Sequence, residues 1–379
     1  MKILLAGEYS RLHNSLKEGL IRLGHTVHLV SSGDFFKNFP SDFSVKPVFS
    51  EKKIVLPFRK TLFRLTRFDF ARLETAWRLQ KILPSLKDYD ILQLINIYPF
   101  ETPVKTEQKI LEKLFRQNRK AFLLACGDDF HTNQFYWKGK MRYSALTPLL
   151  EKPALKKQYQ YSLKYLEPPF QKLQSFVEHH VSGIIPTDLD YAIPYAEHPL
   201  KLAMIPNPVN TDKIIYSFPP IKEKIVIFHG INSWNILKKG NEYFSKALEI
   251  IKKKYAKRVE IKEIKDLPYN DYIRERNNAH IVLDMVWSYD QGYNALEAMA
   301  EGKVVFTGAE KEFTDYYRLQ ESVCINALPD VDYLVDKLSE LIENPRLLER
   351  ISENARKFIE KEHHYIQIAK RYMETWKNA

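Results

Sequence analysis

The first 31 residues carry the feature that most limits what this chain can become. An apolar run, Lys2–Ala6, leads through Gly7 into a helix with Leu16, Leu20 and Leu23 at helical spacing, and Gly24 then turns the chain into a second apolar run, Thr26–Ser31. A helix held between two short apolar strands is the βαβ unit of a parallel sheet. Further buried-strand patterns at residues 90–95, 121–125 and 183–186, separated by helical or irregular stretches, extend this unit into half of a doubly wound α/β protein.

Residues 204–212, MIPNPVNTD, crowd two prolines and two asparagines together and read as punctuation between halves. A second alternation follows, with strands expected at 225–228, 259–264, 281–285 and 304–307, and helices at 240–255, 270–277 and 293–301. Residues 331–379 are helical in pattern, broken at Asn344-Pro345 and near His363-His364. A length of 379 residues exceeds one hydrophobic core. The expected division is a first domain over 1–203 and a second over 204–361, with the last helix, about 362–379, packing back on the first domain.

Composition excludes whole classes. With 45% hydrophobic and 28% charged residues the chain is neither disordered nor fibrous. Two distant cysteines, Cys126 and Cys324, offer neither a disulfide framework nor a zinc site. No apolar stretch approaches the roughly 20 residues that span a bilayer, and MKILLAGEYS lacks the long apolar core of a signal peptide. The expected location is cytoplasmic. A formal net charge of +11 favours a polyanionic partner. Residues 51–81 concentrate it: Lys52, Lys53, Arg59, Lys60, Arg64, Arg67, Arg72, Arg78 and Lys81 stand among Phe58, Leu62, Phe63, Leu65, Phe68, Phe70 and Trp77. This block reads either as a solvated face over core aromatics or as a surface for anionic lipid headgroups on the inner face of a membrane. No signature of a nucleic-acid-binding module accompanies the charge, and no nucleic-acid partner is expected.

The stretch DMVWSYDQGYNALEAMAEGKVVFTG, residues 284–308, holds the chemistry: a strand, a loop, Gly292, a helix opening with Tyr293 and Asn294, Glu297 one turn on, and another strand. Free N–H groups at such a helix start attract phosphate, and a carboxylate one turn further can accept both hydroxyls of a ribose. Glu297 is equally acceptable as a solvated acid in a first turn, where acid is favourable anyway.

These residues resemble the signature of the family 4 glycosyltransferases, retaining enzymes of GT-B fold, in LEAMAEGKVVF. The resemblance runs on in family order through GEYS and LIRLGHTVHLVSSGD near the start, Tyr89-Asp90-Ile91, Gly127-Asp128-Asp129, the 205–212 hinge, His229-Gly230 with Lys238-Lys239-Gly240, and NNAHIVLDM at 277–285. It implies two Rossmann-like doubly wound domains facing across a cleft, and transfer of a sugar from a nucleotide-diphosphate sugar to a glycan or polyprenyl-linked acceptor, without metal or other cofactor. By position, Glu297 would bind ribose, and Lys239 and His229 the donor diphosphate. Gly292, Tyr293 and Asn294 would approach phosphate and sugar, Gly7 and Glu8 would face the donor from the first domain, and Asp129 would touch acceptor or sugar. A histidine at a strand end is as readily a hydrogen-bonded structural residue.

Three departures stand out. Tyr289 occupies the position of the family's sugar-recognising glutamate, with Asp290 beside it. The arginine that usually precedes the diphosphate lysine is missing, and the first Gly-rich loop is reduced to Gly7. Asp188-Leu189-Asp190 and Asp330-Val331-Asp332 look like metal-binding DxD motifs but are expected to be surface or turn acids. The rival readings are a GT-B scaffold without catalysis serving as a partner subunit, and a nucleotide-sugar epimerase.

Overall fold

The computed structural model describes residues 1–34, 37–66 and 68–379. Among them two all-parallel sheets form. The first holds β1 (Lys2–Ala6), β2 (Thr26–Ser31), β3 (Phe43–Ser44), β4 (Ile91–Leu94), β5 (Lys120–Ala125) and β6 (Gly183–Pro186) in the order β3-β2-β1-β4-β5-β6. The second holds β7 (Ile225–Ile231), β8 (Val259–Lys265), β9 (Ile281–Leu283), β10 (Val304–Thr307) and β11 (Ile325–Asn326) in the order β11-β10-β9-β7-β8. Strands β4, β9 and β10, and β6 at one edge of the first sheet, are buried along their whole length, as parallel strands covered by helices on both faces must be. The two-residue edge strands β3 and β11 carry no pattern of their own.

Each sheet reverses its strand order once, between β1 and β4 in the first and between β7 and β9 in the second. Ligands in open α/β sheets bind in the crevice outside the carboxyl ends at such a switch point. The residues that follow these strands are Gly7–Tyr9, Asn96–Glu101, 232–240 and Asp284 onward.

The last helix, Tyr365–Asn378, lies on the first sheet. Ile368, Tyr372 and Trp376 are buried with Leu5, Leu16 and Phe122, and Trp376 Nε1 donates to Gln93 Oε1 at 3.0 Å. This helix meets helix Leu12–Arg22 at Gly19, where a Cβ would stand 2.4 Å from the carbonyl oxygen of Tyr365. Only glycine permits that approach. Both histidine pairs stand at helix ends: His179 and His180 bond back to Ser175 and Phe176, while His363 bonds to the carbonyl of Asn207.

Candidate functional site

The second domain builds its side of the cleft from one carboxylate. Asp284 follows β9 directly, is buried, and accepts from Lys239 Nζ at 2.7 Å and from Asn294 Nδ2 at 2.8 Å. Asn294 in turn accepts from the Tyr272 hydroxyl at 2.7 Å. Lys239 and the start of helix Tyr293–Ala300 are thereby fixed to one point, a cation beside a helix N-terminus. Burial disfavours the Lys239 ammonium, but the Asp284 carboxylate outweighs it and holds the pKa above its ordinary value. Gly292 precedes the helix with nothing within 4 Å of where a Cβ would be, leaving its backbone open to approach.

Glu297 lies one turn further, in a cleft cavity of about 290 Å³ shared by both domains: Arg11 and Ser15 come from the first, Tyr269, Arg276 and Glu297 from the second. The nearly sealed Arg276 guanidinium reaches Glu301 at 2.5 and 3.0 Å and Glu297 at 3.5 Å. Burial opposes its charge, yet the two carboxylates keep it firmly protonated. Glu297 is therefore a carboxylate positioned by a guanidinium at the cavity wall.

Across the cleft, Gly7 has φ +86, and a Cβ there would lie 2.3 Å from Ile95 Cγ2. Glu8 is buried; its Oε2 accepts from Asn14 N at 2.9 Å and Asn14 Nδ2 at 2.6 Å, while Oε1 has no partner among the described residues. Burial pushes this carboxyl up to about 8 against those bonds, with Asp34 adding to the rise. Tyr293 is mostly covered, and its hydroxyl donates to the Pro208 carbonyl at 2.6 Å. It ties the donor helix to the hinge, while its backbone N–H stays at the helix start.

Three expectations are corrected. His229 is wholly buried; Nδ1 meets Glu263 at 2.9 Å and Nε2 meets Asn241 Nδ2 at 2.7 Å. Both ring nitrogens are used, so it braces the loop and does not face a ligand. Asp129 is the N-cap of helix Phe130–Trp137, accepting from Thr132 N at 2.7 Å and the Tyr195 hydroxyl at 2.9 Å. Burial raises its pKa against those bonds. Its neighbour Asp128 faces the cleft instead, accepting from Lys238 of the other domain at 3.0 Å.

Asp188 and Asp190 are not surface acids. Asp190 accepts from Ser288 Oγ at 2.5 Å and Tyr289 N at 3.0 Å, and Asp290 accepts from Leu189 N at 3.2 Å, so this loop clamps the domains together. Burial raises all three carboxyls, and mutual repulsion adds to the rise at Asp188 and Asp290. Asp330 does cap a helix, accepting from Tyr333 N. Tyr289 is buried against Tyr143 at 5.3 Å, and its hydroxyl accepts from Arg142 N at 3.0 Å. It is a wedge between domains where the family pattern has a sugar-facing carboxylate. Asp284, Arg276 and Asp128 were missed in the sequence because an acid after a strand or an arginine on a polar helix has no distinguishing spacing.

Comparison with known proteins agrees with this fold. Residues 233–374 match the model of a family described as glycosyl transferase-like. No curated protein sequence matches the chain. Among solved structures, sucrose-phosphate synthase from Thermosynechococcus elongatus superposes with a TM-score of 0.59 at 12% identity, covering 100% of this chain and 99% of its own. The Anabaena protein HepE, solved with UDP and glucose, gives 0.59 at 14% identity and full coverage of both chains. UDP-GlcNAc 2-epimerase from Neisseria meningitidis, bound to UDP-GlcNAc, gives 0.55 at 12% with full coverage of both. The family match does not single out family 4. The chain has a GT-B fold, and its residues 233–374 are similar to a glycosyl transferase-like domain.

Proposed function

We propose that this glycosyltransferase takes its sugar from a nucleotide-diphosphate sugar and passes it to a glycan or lipid-linked acceptor at an anionic membrane surface. The observation that carries the donor reading is the Lys239–Asp284–Asn294 group at the start of helix Tyr293–Ala300, with Glu297 one turn on in a cavity lined by both domains. A diphosphate would meet the Lys239 ammonium and the helix N–H groups, which stabilise charge as the bond to the anomeric carbon breaks. Glu297 would take the ribose hydroxyls. Without a strong nucleophile, retention would come from attack of the acceptor on the face the diphosphate leaves, and no step requires a metal.

The membrane reading rests on helix Leu56–Thr66, which has no buried residue, and on its surroundings. Ile54 is 92%, Leu65 78% and Phe58 65% exposed, beside Lys53, Lys60 and Arg64. Exposed apolar side chains contiguous with cations suit an anionic lipid interface. Arg59 is not part of the offer, since Asp69 and Glu51 already hold it. Arg67 lies outside the described residues. No helix among the described residues is long and apolar enough to cross a membrane.

Calorimetric binding of UDP, GDP, ADP, CMP and dTDP, with Glu297→Ala as control, tests the donor reading. One selective response lost in the variant supports it; no response from any nucleotide sinks it and favours a binding subunit, the reading to which the Tyr289 wedge lends weight. Turnover of donor without any acceptor would indicate an epimerase instead.

A further inference from the structure

Beside the donor cleft, on the first domain, stands a group that donor binding does not use. Lys164 Nζ is buried and has no hydrogen-bond partner among the described residues. It lies instead 3.6 Å from the ring centroid of Tyr161, 4.9 Å from Tyr165, 5.1 Å from Tyr98 and 5.4 Å from Phe170. A buried amine with no acceptor is costly unless its surroundings compensate, and ring faces do so by cation–π attraction. The consequence falls on Tyr161. One side of its ring is braced by the amine, yet the residue remains 44% exposed.

The hydroxyl of Tyr161 donates to Glu101. Glu101 ends the loop after β4, at the switch point of the first sheet, and has φ +54. A non-glycine residue there is strained, and such strain persists where the surrounding structure enforces it, often at ligand clamps. The ring of Tyr9, two residues beyond Gly7, lies beside Gly127, where a Cβ would stand 3.4 Å from Tyr9 Cε2, next to Asp128. Asp128, which accepts from Lys238 of the donor domain, also accepts from Ser162 Oγ at 2.9 Å, so the platform borders the cleft.

An exposed, braced aromatic ring with a carboxylate at its rim is complementary to a pyranose, which presents an apolar C–H face edged by hydroxyls. We infer that Tyr161 and Glu101, with Lys164 beneath and Tyr9 alongside, form a saccharide-binding subsite for the acceptor, stacking its terminal pyranose on Tyr161 and hydrogen-bonding it to Glu101. This rests on the glycosyltransfer reading for its biological sense, but its binding test does not. Lys164 is a positioning residue, sealed from direct contact.

The test is saturation-transfer NMR of the full chain with a panel of methyl pyranosides of the common hexoses, N-acetylhexosamines and deoxyhexoses, and parallel titration with the preferred nucleotide. At least one pyranoside is expected to bind, with Tyr161→Ala and Glu101→Gln each weakening it about tenfold or more and Tyr161→Phe, which keeps the ring, weakening it less. Nucleotide affinity should stay near wild type, whereas Tyr161→Ala, which takes away the ring nearest the buried amine, should lower the melting temperature and Tyr161→Phe should largely preserve it. No pyranoside response from wild type, or a response unchanged in Tyr161→Ala and Glu101→Gln, overturns the subsite. Loss of nucleotide binding in every protein would strike the donor reading alone.

Discussion

Lys239 and Asp284 depend on each other unequally, and the inequality is testable. The Asp284 side chain is 2% exposed and the Lys239 side chain 25%. Removing the lysine strands a buried carboxylate, whereas removing the carboxylate leaves an ammonium that water can reach. A charge left buried without its partner costs about 3–5 kcal/mol, discounted here because Asn294 still donates to Asp284. Lys239→Met should therefore lower both melting temperature and nucleotide-diphosphate affinity, the latter about 10- to 100-fold for a lost charged hydrogen bond of about 1.5–3 kcal/mol. Adding Asp284→Asn should restore the melting temperature and leave affinity low. Restoration of both by the second change would show that Lys239 acts only structurally. Glu8 gives a second test. Its folded pKa, raised by burial to about 8, exceeds the ordinary 4.5, so between those values the folded state binds more protons than the unfolded chain. Stability contributed by this group must fall as pH rises through that window. Glu8→Gln, which resembles the protonated form, should flatten that part of the pH–stability profile measured by chemical denaturation; an unchanged slope would reject the assignment.

At the scale of elements, the central strands of both sheets could be read from their apolar runs, because a parallel strand covered on both faces is apolar throughout. The edge strands Phe43–Ser44 and Ile325–Asn326 could not, since two residues have no period. The site divided in the same way. Helix Tyr293–Ala300 announces itself by Gly292 and the apolar run after it, but Asp284 acquires meaning only when β9 and the 232–240 loop end at one point. Asp129 could have been recognised as an N-cap, because Thr132 stands three residues on and an aspartate before a helix usually serves its own backbone. Helix Leu56–Thr66 is the element whose sequence and surface agree most directly with an interfacial role. Replacing Phe58 and Leu65 by serine should reduce co-sedimentation with anionic vesicles at all salt concentrations. Lys60→Ala with Arg64→Ala should do so mainly at low salt, since exposed charges are screened beyond about 10 Å at 0.1 M. Equal co-sedimentation with neutral and anionic vesicles by wild type would remove the charge from the account. Neither pair should change melting temperature by more than a degree or two, because helix Leu56–Thr66 has no buried residue.

At the scale of the whole molecule, two kinds of contact hold the domains in register, and they differ in strength. Arg142 reaches Glu312 at 2.7 Å and Glu310 at 2.8 Å across the cleft, but its side chain is half exposed. Asp128–Lys238 is also a partly exposed pair. Pairs of this kind contribute about 0–1 kcal/mol. Asp190 differs: half-buried in the interface, it accepts from the Ser288 hydroxyl and from the backbone of Tyr289 and Asp290, the loop that leads into Gly292 and the donor helix. Removing it leaves the buried N–H groups of Tyr289 and Asp290 unsatisfied at about 1–3 kcal/mol each, while Ser288 can still donate to the Asp290 carbonyl at 2.7 Å, and releases the segment that presents the helix N-terminus to the diphosphate. Asp190→Ala is therefore expected to weaken nucleotide binding by about tenfold or more although it touches no nucleotide. Arg142→Ala, at a more exposed bridge, should weaken it no more than about threefold, and less at higher salt. Calorimetry of both variants against the nucleotide that wild type prefers decides between a closure governed by buried hydrogen bonding to one loop and a closure governed by surface charge. If Arg142→Ala proves the more damaging and its effect disappears at high salt, the domains are held by the exposed bridges, and the Asp190 clamp is merely a consequence of their meeting.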